Sequence, residues 1–85
     1  MSRYVRKITI DGKLHKFAYG YDRPMQTYFW QLFQESGPYG WITLIDEGGL
    51  IRKSGVEFVN AVRKLELQES VDKEHRVAAL MDEPF

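Results

Sequence analysis

Few residues in this sequence have the types and spacing that chemistry requires. Asp46 and Glu47 form an adjacent carboxylate pair followed by two glycines, a setting in which carboxylates can bind a cation or transfer protons. The segment lacks the alternating ligand spacing of a calcium loop, which favours a solvated turn. His15 and His75, the only histidines, stand far apart without flanking ligands, so no metal site is predicted. We therefore expect neither a metal nor a cofactor.

A small enzyme or ligand-binding domain would need several polar groups in one pocket. The candidate set is Tyr21, Arg23, Asp46 and His15, which a concave site would have to gather. No nucleophile-elbow or other triad context accompanies the serine, histidine and aspartate residues, and the chain has no cysteine to act as a thiolate. Catalysis is therefore the least favoured of three function classes, and no catalytic residue is assigned.

Aromatic residues are concentrated in one part of the chain and favour binding over catalysis. Nine of the twelve (five Tyr, five Phe and two Trp) fall within residues 17–41, and most are expected to form the core. Trp30, Tyr21 and Tyr39 are predicted to lie outside the core. With Arg23 they are the candidate protein-interaction residues, because exposed Trp, Tyr and Arg anchor interfaces. If they converge, the same rings could instead hold a ring-shaped ligand or stack on bases.

The formal net charge is zero, yet basic residues gather at the N-terminal end and acidic residues at the C-terminal end. One interpretation is a nucleic-acid surface, whose phosphate contacts would make binding strongly salt-dependent. The other is a solvated face that is neutralised by the acidic C-terminal segment of the same or another chain. The candidate phosphate contacts are Arg3, Arg6, Lys7, Lys13 and Lys16.

A β-hairpin over residues 4–21 is predicted to position these basic residues. YVRKITI is rich in β-branched residues, and the dipeptide DG that follows is a strong hairpin signal. A two-residue loop places Lys7 opposite Lys16, whereas a longer loop would bring Leu14 beside Ile10. We favour the two-residue loop. In that register the other face of the hairpin holds Ile8, Ile10, Phe17 and Tyr19.

The segment DRPMQTYFWQLFQESGP, residues 22–38, is predicted to be an amphipathic helix. Asp22 can cap its start, Pro24 suits its first turn, and a glycine-proline pair ends it. Its apolar residues recur at helical spacing, so this helix needs a partner surface. They are Met25, Tyr28, Phe29, Leu32 and Phe33.

Further elements are predicted after this helix. WITLID, residues 41–46, is apolar on both faces and is expected to be a central strand. Residues 50–52 are either a short fourth strand or the approach to the next helix. Ser54 and Glu57 match a capping box, so a second helix is expected to begin near Ser54. A third, more polar helix is predicted over residues 70–81, and the last few residues of the chain are expected to be disordered.

Composition and element order together predict a single α+β domain. Eighty-five residues suffice for one core, because small domains bury only about 60% of their unfolded surface. The predicted order is β-β-α-β-(β)-α-α, a small and mostly antiparallel sheet of three or four strands with two or three helices packed on it. No apolar run approaches the roughly 20 residues of a membrane span, and no signal peptide is recognisable. We therefore expect a cytoplasmic protein that does not associate with membranes.

The segments HKFAYGYDRPMQTYFWQLF and WITLIDEGG together resemble small betaproteobacterial proteins of the kind solved in structural-genomics programmes as compact α+β domains. The resemblance spans the whole chain and implies a bacterial, cytoplasmic, single-domain protein. It implies no functional residues, because such families have no established activity. The predicted function is a non-catalytic protein-interaction module that binds an unidentified protein or a second copy of itself. Nucleic-acid binding is the alternative, and a small ligand-binding domain or enzyme ranks third.

Overall fold

The computed structural model describes residues 2–48 and 51–85 and has an α+β architecture. Four antiparallel strands pair in sequence order, and two α-helices pack on one face of the sheet. The predicted fold class is confirmed, but its order is corrected, because both helices follow all four strands. The strands are β1 (Tyr4–Ile10), β2 (Lys13–Asp22), β3 (Thr27–Glu35) and β4 (Trp41–Glu47), and the helices are α1 (Gly55–Lys64) and α2 (Lys73–Leu80).

The β1–β2 hairpin forms in the predicted two-residue register. Lys7 pairs with Lys16, on the face turned away from the helices. Asp11 and Gly12 have φ angles of 51° and 77°, the left-handed backbone that a tight hairpin turn requires at both central positions. The dipeptide DG therefore fixes the register, and with it the face on which each basic residue of the hairpin lies.

The helix predicted over residues 22–38 is wrong, because this segment forms a turn followed by β3. Its central Thr, Tyr, Phe and Trp residues have high strand propensity. Tyr28, Trp30 and Leu32 alternate along β3 and are buried against the helices. Phe29 and Phe33 add apolar residues on the opposite face of β3, so the sequence satisfies helical spacing and strand alternation at once. Pairing with β2 on one side and β4 on the other stabilises the strand.

Asp22 closes the β2–β3 turn instead of capping a helix. Its Oδ1 accepts a hydrogen bond from the Met25 N–H at 3.3 Å. The carbonyl of Arg23 accepts a second bond from the Gln26 N–H at 3.2 Å. Pro24 occupies the second position of this turn, where its fixed φ is favourable. The aspartate and proline that suggested a helix start therefore form a connection between two strands.

β4 forms where a strand was predicted, but it is an edge strand and not a central one. Among the described residues it pairs with β3 alone, and the register shifts between Leu32 and Phe33, which marks a β-bulge. A short strand or helix approach was predicted over residues 50–52. Ile51 and Arg52 lie outside any strand, and Leu50 lies outside the described residues. The fourth strand of the sheet comes instead from the segment that was assigned to a helix.

Both C-terminal helices form close to their predicted positions. The Ser54 Oγ accepts a hydrogen bond from the Glu57 N–H at 3.2 Å, and the Glu57 carboxylate accepts one from the Ser54 N–H at 2.7 Å, so the predicted capping box is present. α2 is shorter than the predicted 70–81 helix, because Gln68–Ser70 is a 3-10 turn and Asp72 is the N-cap of α2. None of the helices in the described part of the chain is long and apolar enough to cross a membrane.

The core lies between the sheet and the two helices. Tyr19 and Phe58 are fully buried at its centre. The start of α1 touches the end of α2 through small residues, since a Cβ added at Gly55 would overlap the Ala79 carbonyl. Phe85, in the segment expected to be disordered, packs against the core rings. The helices cover one sheet face and leave the other open.

Candidate interaction surface

The four residues predicted as a protein-interaction site do not form one surface. Trp30 is 5% exposed and packs against Phe58, with ring centroids 5.7 Å apart. Tyr21 is half-buried, its ring packed edge-on against a tyrosine of β3. Tyr39 and Arg23 are exposed but flank opposite ends of β3. The exposure predicted for Trp30 is wrong. In a helix Trp30 would lie beside the apolar face, but in β3 it alternates with Phe29 and Gln31 and points into the core.

The residues proposed for a ligand pocket are also separated. His15 is 5% exposed on the helix-covered face, and its Nδ1–H donates a hydrogen bond to the Lys13 carbonyl at 2.9 Å. Asp46 lies on the other face, where its carboxylate accepts a hydrogen bond from Gln31 Nε2 at 3.1 Å. Tyr21 packs towards the core and Arg23 lies in the β2–β3 turn. Within residues 2–48 and 51–85 there is also no cluster of His, Asp and Glu side chains that could hold a metal ion.

A buried polar network joins the sheet to α2. The Tyr19 hydroxyl accepts a hydrogen bond from the Asp72 N–H at 3.3 Å and forms a second hydrogen bond, 2.8 Å long, with His75 Nδ1. Burial raises the pKa of Tyr19, which keeps this hydroxyl protonated. Arg6 forms an ion pair with Asp72 at 3.2 Å. Arg6 therefore faces the helices, and Lys13, which pairs with Ile10, lies on the same side by strand alternation. Only Arg3, Lys7 and Lys16 of the candidate phosphate contacts lie on the other face.

The sheet face turned away from the helices, which we call the open face, combines basic and aromatic side chains. Lys16 crosses it, with its Nζ 5.1 Å from the centroid of the Phe33 ring and 4.7 Å from that of Trp41. Such cation–π contacts cover the ring faces that a base would need for stacking. By strand alternation and register, the open face comprises Arg3, Val5, Lys7, Thr9, Leu14, Lys16, Ala18, Phe29, Gln31, Phe33, Glu35, Trp41, Thr43 and Asp46.

A chain of hydrogen bonds also crosses the open face, from the start of β1 to the end of β4. Arg3 Nη1 donates to Gln31 Oε1 at 2.7 Å, and Gln31 Nε2 donates in turn to Asp46. Ala18 of β2, which has a small side chain, pairs with Gln31 on the same face. Arg3 is therefore already engaged within the protein, and the basic half of the open face is linked to its acidic half.

The outer edge of β4 combines unpaired backbone with exposed apolar side chains. Trp41 is 37% exposed, Ile42 47% and Leu44 48%. Because β4 pairs on one side only among the described residues, part of its N–H and C=O groups point away from the sheet. Edge strands are commonly protected from further pairing by Lys, by Pro or by a β-bulge, and WITLIDE has a bulge but neither Lys nor Pro. The absence of Lys and Pro from this strand is the sequence signal that could have indicated the site. The prediction that β4 is a central strand concealed this signal.

Comparisons of the chain with protein-family models, with curated proteins and with solved structures find no match. The fold and surfaces define an α+β domain with one open sheet face and, among the described residues, two edge strands, β1 and β4. The resemblance to small betaproteobacterial proteins stays a prediction. Function must therefore be inferred from the surfaces of this chain alone.

Proposed function

We propose that the protein is a non-catalytic protein-interaction module in which β4 pairs with an extended segment of another polypeptide. The observation that carries this proposal is the unpaired edge of β4 with its exposed Trp41, Ile42 and Leu44. Addition of a strand to a sheet edge satisfies main-chain donors and acceptors of both partners, while pockets for alternate side chains give specificity. Exposed aromatic and aliphatic residues beside that edge supply the apolar contact area.

The side chains of β4 define the chemistry of the partner. Trp41, Ile42 and Leu44 make one half largely apolar, and Asp46 and Glu47 make the other end acidic. A complementary segment has apolar residues at alternate positions and a Lys or Arg opposite Asp46. A second copy of β4 also fits if it pairs antiparallel, because the two acidic ends then lie far apart.

A peptide-display selection on the immobilised protein tests this proposal. Ile42→Lys and Leu44→Lys place a charge on the edge, as natural edge strands do to prevent pairing. The matched control is Val5→Lys, because Val5 is 41% exposed on β1, the opposite edge of the sheet. We expect selected peptides to bind the wild type and Val5→Lys alike and to bind both β4 variants at least about tenfold more weakly, the loss of roughly 1.4 kcal/mol.

Two further measurements locate the partner strand. Bound peptide should slow hydrogen exchange at the backbone amides of β4, and sedimentation across a concentration range should reveal whether a second copy can take the peptide's place. Equal loss of binding in Ile42→Lys and Val5→Lys, or unchanged exchange along β4 in the complex, would refute pairing at this edge.

Nucleic-acid binding is the second candidate, and it is favoured by Lys7 and Lys16 projecting as a pair from the open face. Glu35 and Asp46 on the same face would repel phosphates. Fluorescence anisotropy with a labelled single-stranded oligonucleotide at about 50 mM salt distinguishes the two candidates, because phosphate contacts are strongest at low salt. Binding that Lys7→Gln abolishes and Ile42→Lys leaves intact would favour nucleic acid, and no binding would eliminate it.

A further inference from the structure

A cavity between α1 and α2 lies on the helical side of the molecule, away from β4. Its volume is about 570 Å³, within the roughly 300–1,000 Å³ typical of small-molecule sites. Its apolar part includes Phe58 and Val62 from α1 and Val77 and Leu80 from α2. Val77 and Leu80 are about half exposed, at 47% and 52%, so this wall of the cavity lacks an apolar partner.

Charge in this cavity is of one sign. Arg63, Lys73 and Arg76 line it, and no carboxylate does. This is notable in a chain whose twelve basic and twelve acidic residues balance. None of the ion pairs among the described residues involves these three cations. The cavity is therefore electrostatically complementary to an anion.

Two buried polar atoms at the cavity have no hydrogen-bond partner. They are the Nε of Arg76, a donor, and the Oε1 of Gln68, an acceptor, and because no water-sized group reaches either atom in this conformation, a ligand pairs with them only when the two side chains turn towards the cavity. Both residues line the cavity. A buried polar atom left unpaired is destabilising, so each of these atoms calls for a partner such as a water, an ion or a ligand. The ligand that pairs both must bring an acceptor oxygen for Arg76 and an O–H or N–H for Gln68.

We propose that this cavity binds a small hydroxycarboxylate with an apolar chain or ring. The carboxylate accepts hydrogen bonds from Arg76 and lies near Lys73 and Arg63, a charge-assisted arrangement that is stronger than a neutral one. The hydroxyl group donates to Gln68 Oε1, and the apolar body fills the space beside Val77 and Leu80. The site is independent of β4, so either proposal can fail without the other.

Three eight-carbon probes separate the contributions of charge, hydroxyl and chain. They are 3-hydroxyoctanoate, octanoate, which lacks the hydroxyl, and octane-1,3-diol, which lacks the charge. By isothermal titration calorimetry we expect 3-hydroxyoctanoate to bind at least about tenfold more tightly than the diol and also more tightly than octanoate, because each missing group leaves a buried partner unpaired. Chemical shift changes in the methyl groups of Val62, Val77 and Leu80 should locate the bound chain.

Variants assign the individual contacts. Arg76→Met should weaken 3-hydroxyoctanoate by about tenfold or more and leave the diol unchanged, since a charge-assisted bond is lost. Gln68→Met should make the two acids bind equally. The matched control is Arg52→Gln, which removes an exposed cation outside the cavity. If Arg76→Met does not fold, the exposed Lys73→Gln should still weaken the acids selectively.

Several results would overturn the proposal. The diol binding as tightly as the acids would refute the anion site, and equal binding of the two acids by the wild type would refute the role of Gln68. If Arg52→Gln weakened 3-hydroxyoctanoate binding as much as Arg76→Met does, the loss of affinity would be due to the change in net charge and not to a contact in the cavity. Methyl shifts confined to residues outside α1 and α2 would place the ligand elsewhere.

Discussion

Tyr28 links the inner face of β3 to the C-terminal segment. Its hydroxyl donates a hydrogen bond to the Glu83 carbonyl at 2.6 Å, and its ring stacks on Phe58 with centroids 6.0 Å apart. Burial, with a smaller contribution from the Asp82 carboxylate, raises the pKa of Tyr28 from 10.0 to about 12. Removal of the ring from water disfavours the phenolate more than the neutral phenol.

This shift predicts a loss of stability in alkali. Because the folded pKa exceeds the unfolded one, the stabilisation from protonated Tyr28 is fully present below pH 10 and is lost as the pH rises towards 12. Tyr28→Phe should cost about 1 kcal/mol at pH 7, the usual value of a hydrogen bond. Its free energy of unfolding should then fall less steeply than that of the wild type above pH 10. Urea unfolding at pH 7 and at steps between pH 10 and 12 measures both effects.

The alkaline unfolding experiment on Tyr28→Phe has a matched control and an expected residual effect. Tyr39 is 85% exposed, so Tyr39→Phe is the matched control and should follow the wild-type curve. Some alkaline loss should persist in Tyr28→Phe, because burial also raises the pKa of Tyr19. Superimposable slopes for Tyr28→Phe and the wild type would contradict the assignment.

At the scale of secondary structure, the sequence predicts elements best where the signal is local. The hairpin turn and the Ser54–Glu57 capping box depend on residues within four positions of one another, and both form as predicted. The segment 27–35 has no such signal, since its apolar residues suit a helix and a strand equally. Hydrogen bonds to β2 and β4 determine its state, and these are long-range.

The candidate sites follow the same division. The apolar character of both faces of WITLID predicts a central strand and so conceals the free edge of β4, and the helix predicted over residues 22–38 removes the strand with which β4 pairs. The anion cavity could not be predicted either, because Gln68 and Arg76 belong to a polar segment with no motif. Only the packing of α2 against α1 brings them beside apolar residues. The open-face position of Lys7 and Lys16, in contrast, follows from the hairpin register.

The contact between α1 and α2 requires glycine at the start of α1. A side chain at Gly55 would overlap the Ala79 carbonyl, which is backbone and cannot rotate away. Gly55→Ala should therefore lower the free energy of unfolding by about 3 kcal/mol, the upper part of the usual range for overpacking, although alanine has the higher helix propensity. Urea denaturation followed by circular dichroism measures the change.

Asn60→Ala is the matched control for this variant, because Asn60 is exposed on the same helix. It should leave stability unchanged or raise it by a few tenths of a kcal/mol. A Gly55→Ala variant as stable as Asn60→Ala would mean that the two helices do not touch at this point.

At the scale of the whole molecule, the basic N-terminal and acidic C-terminal parts of the chain meet. Arg6 of β1 pairs with Asp72, the N-cap of α2, and both side chains are partly exposed. An exposed pair of this kind contributes at most about 1 kcal/mol. The asymmetry of charge along the sequence is thus partly neutralised within one molecule, while the buried Tyr19 hydroxyl and the aromatic core hold the same elements together.

Phe85 connects more elements than any charged pair does. Its ring lies within 6.1 Å, centroid to centroid, of five other rings. These belong to all of β1, β2, β3, α1 and α2, so the last residue of the chain stabilises the whole fold. The five rings are those of Tyr4, Tyr19, Tyr28, Phe58 and His75.

We predict that Phe85→Ala lowers the free energy of unfolding by about 2 kcal/mol, somewhat less than for a fully buried phenylalanine because Phe85 is half-buried. Pro84→Ala, at an exposed neighbouring position, should change it by less than about 0.5 kcal/mol. Because the ring touches the sheet and both helices, circular dichroism and tryptophan fluorescence, measured in a Trp41→Phe background so that it reports the core residue Trp30, should give the same lower urea midpoint. A lower midpoint in only one signal would limit the role of Phe85 to one element, and equal midpoints for the Phe85→Ala and Pro84→Ala variants would show that the C-terminal ring does not contribute to the core.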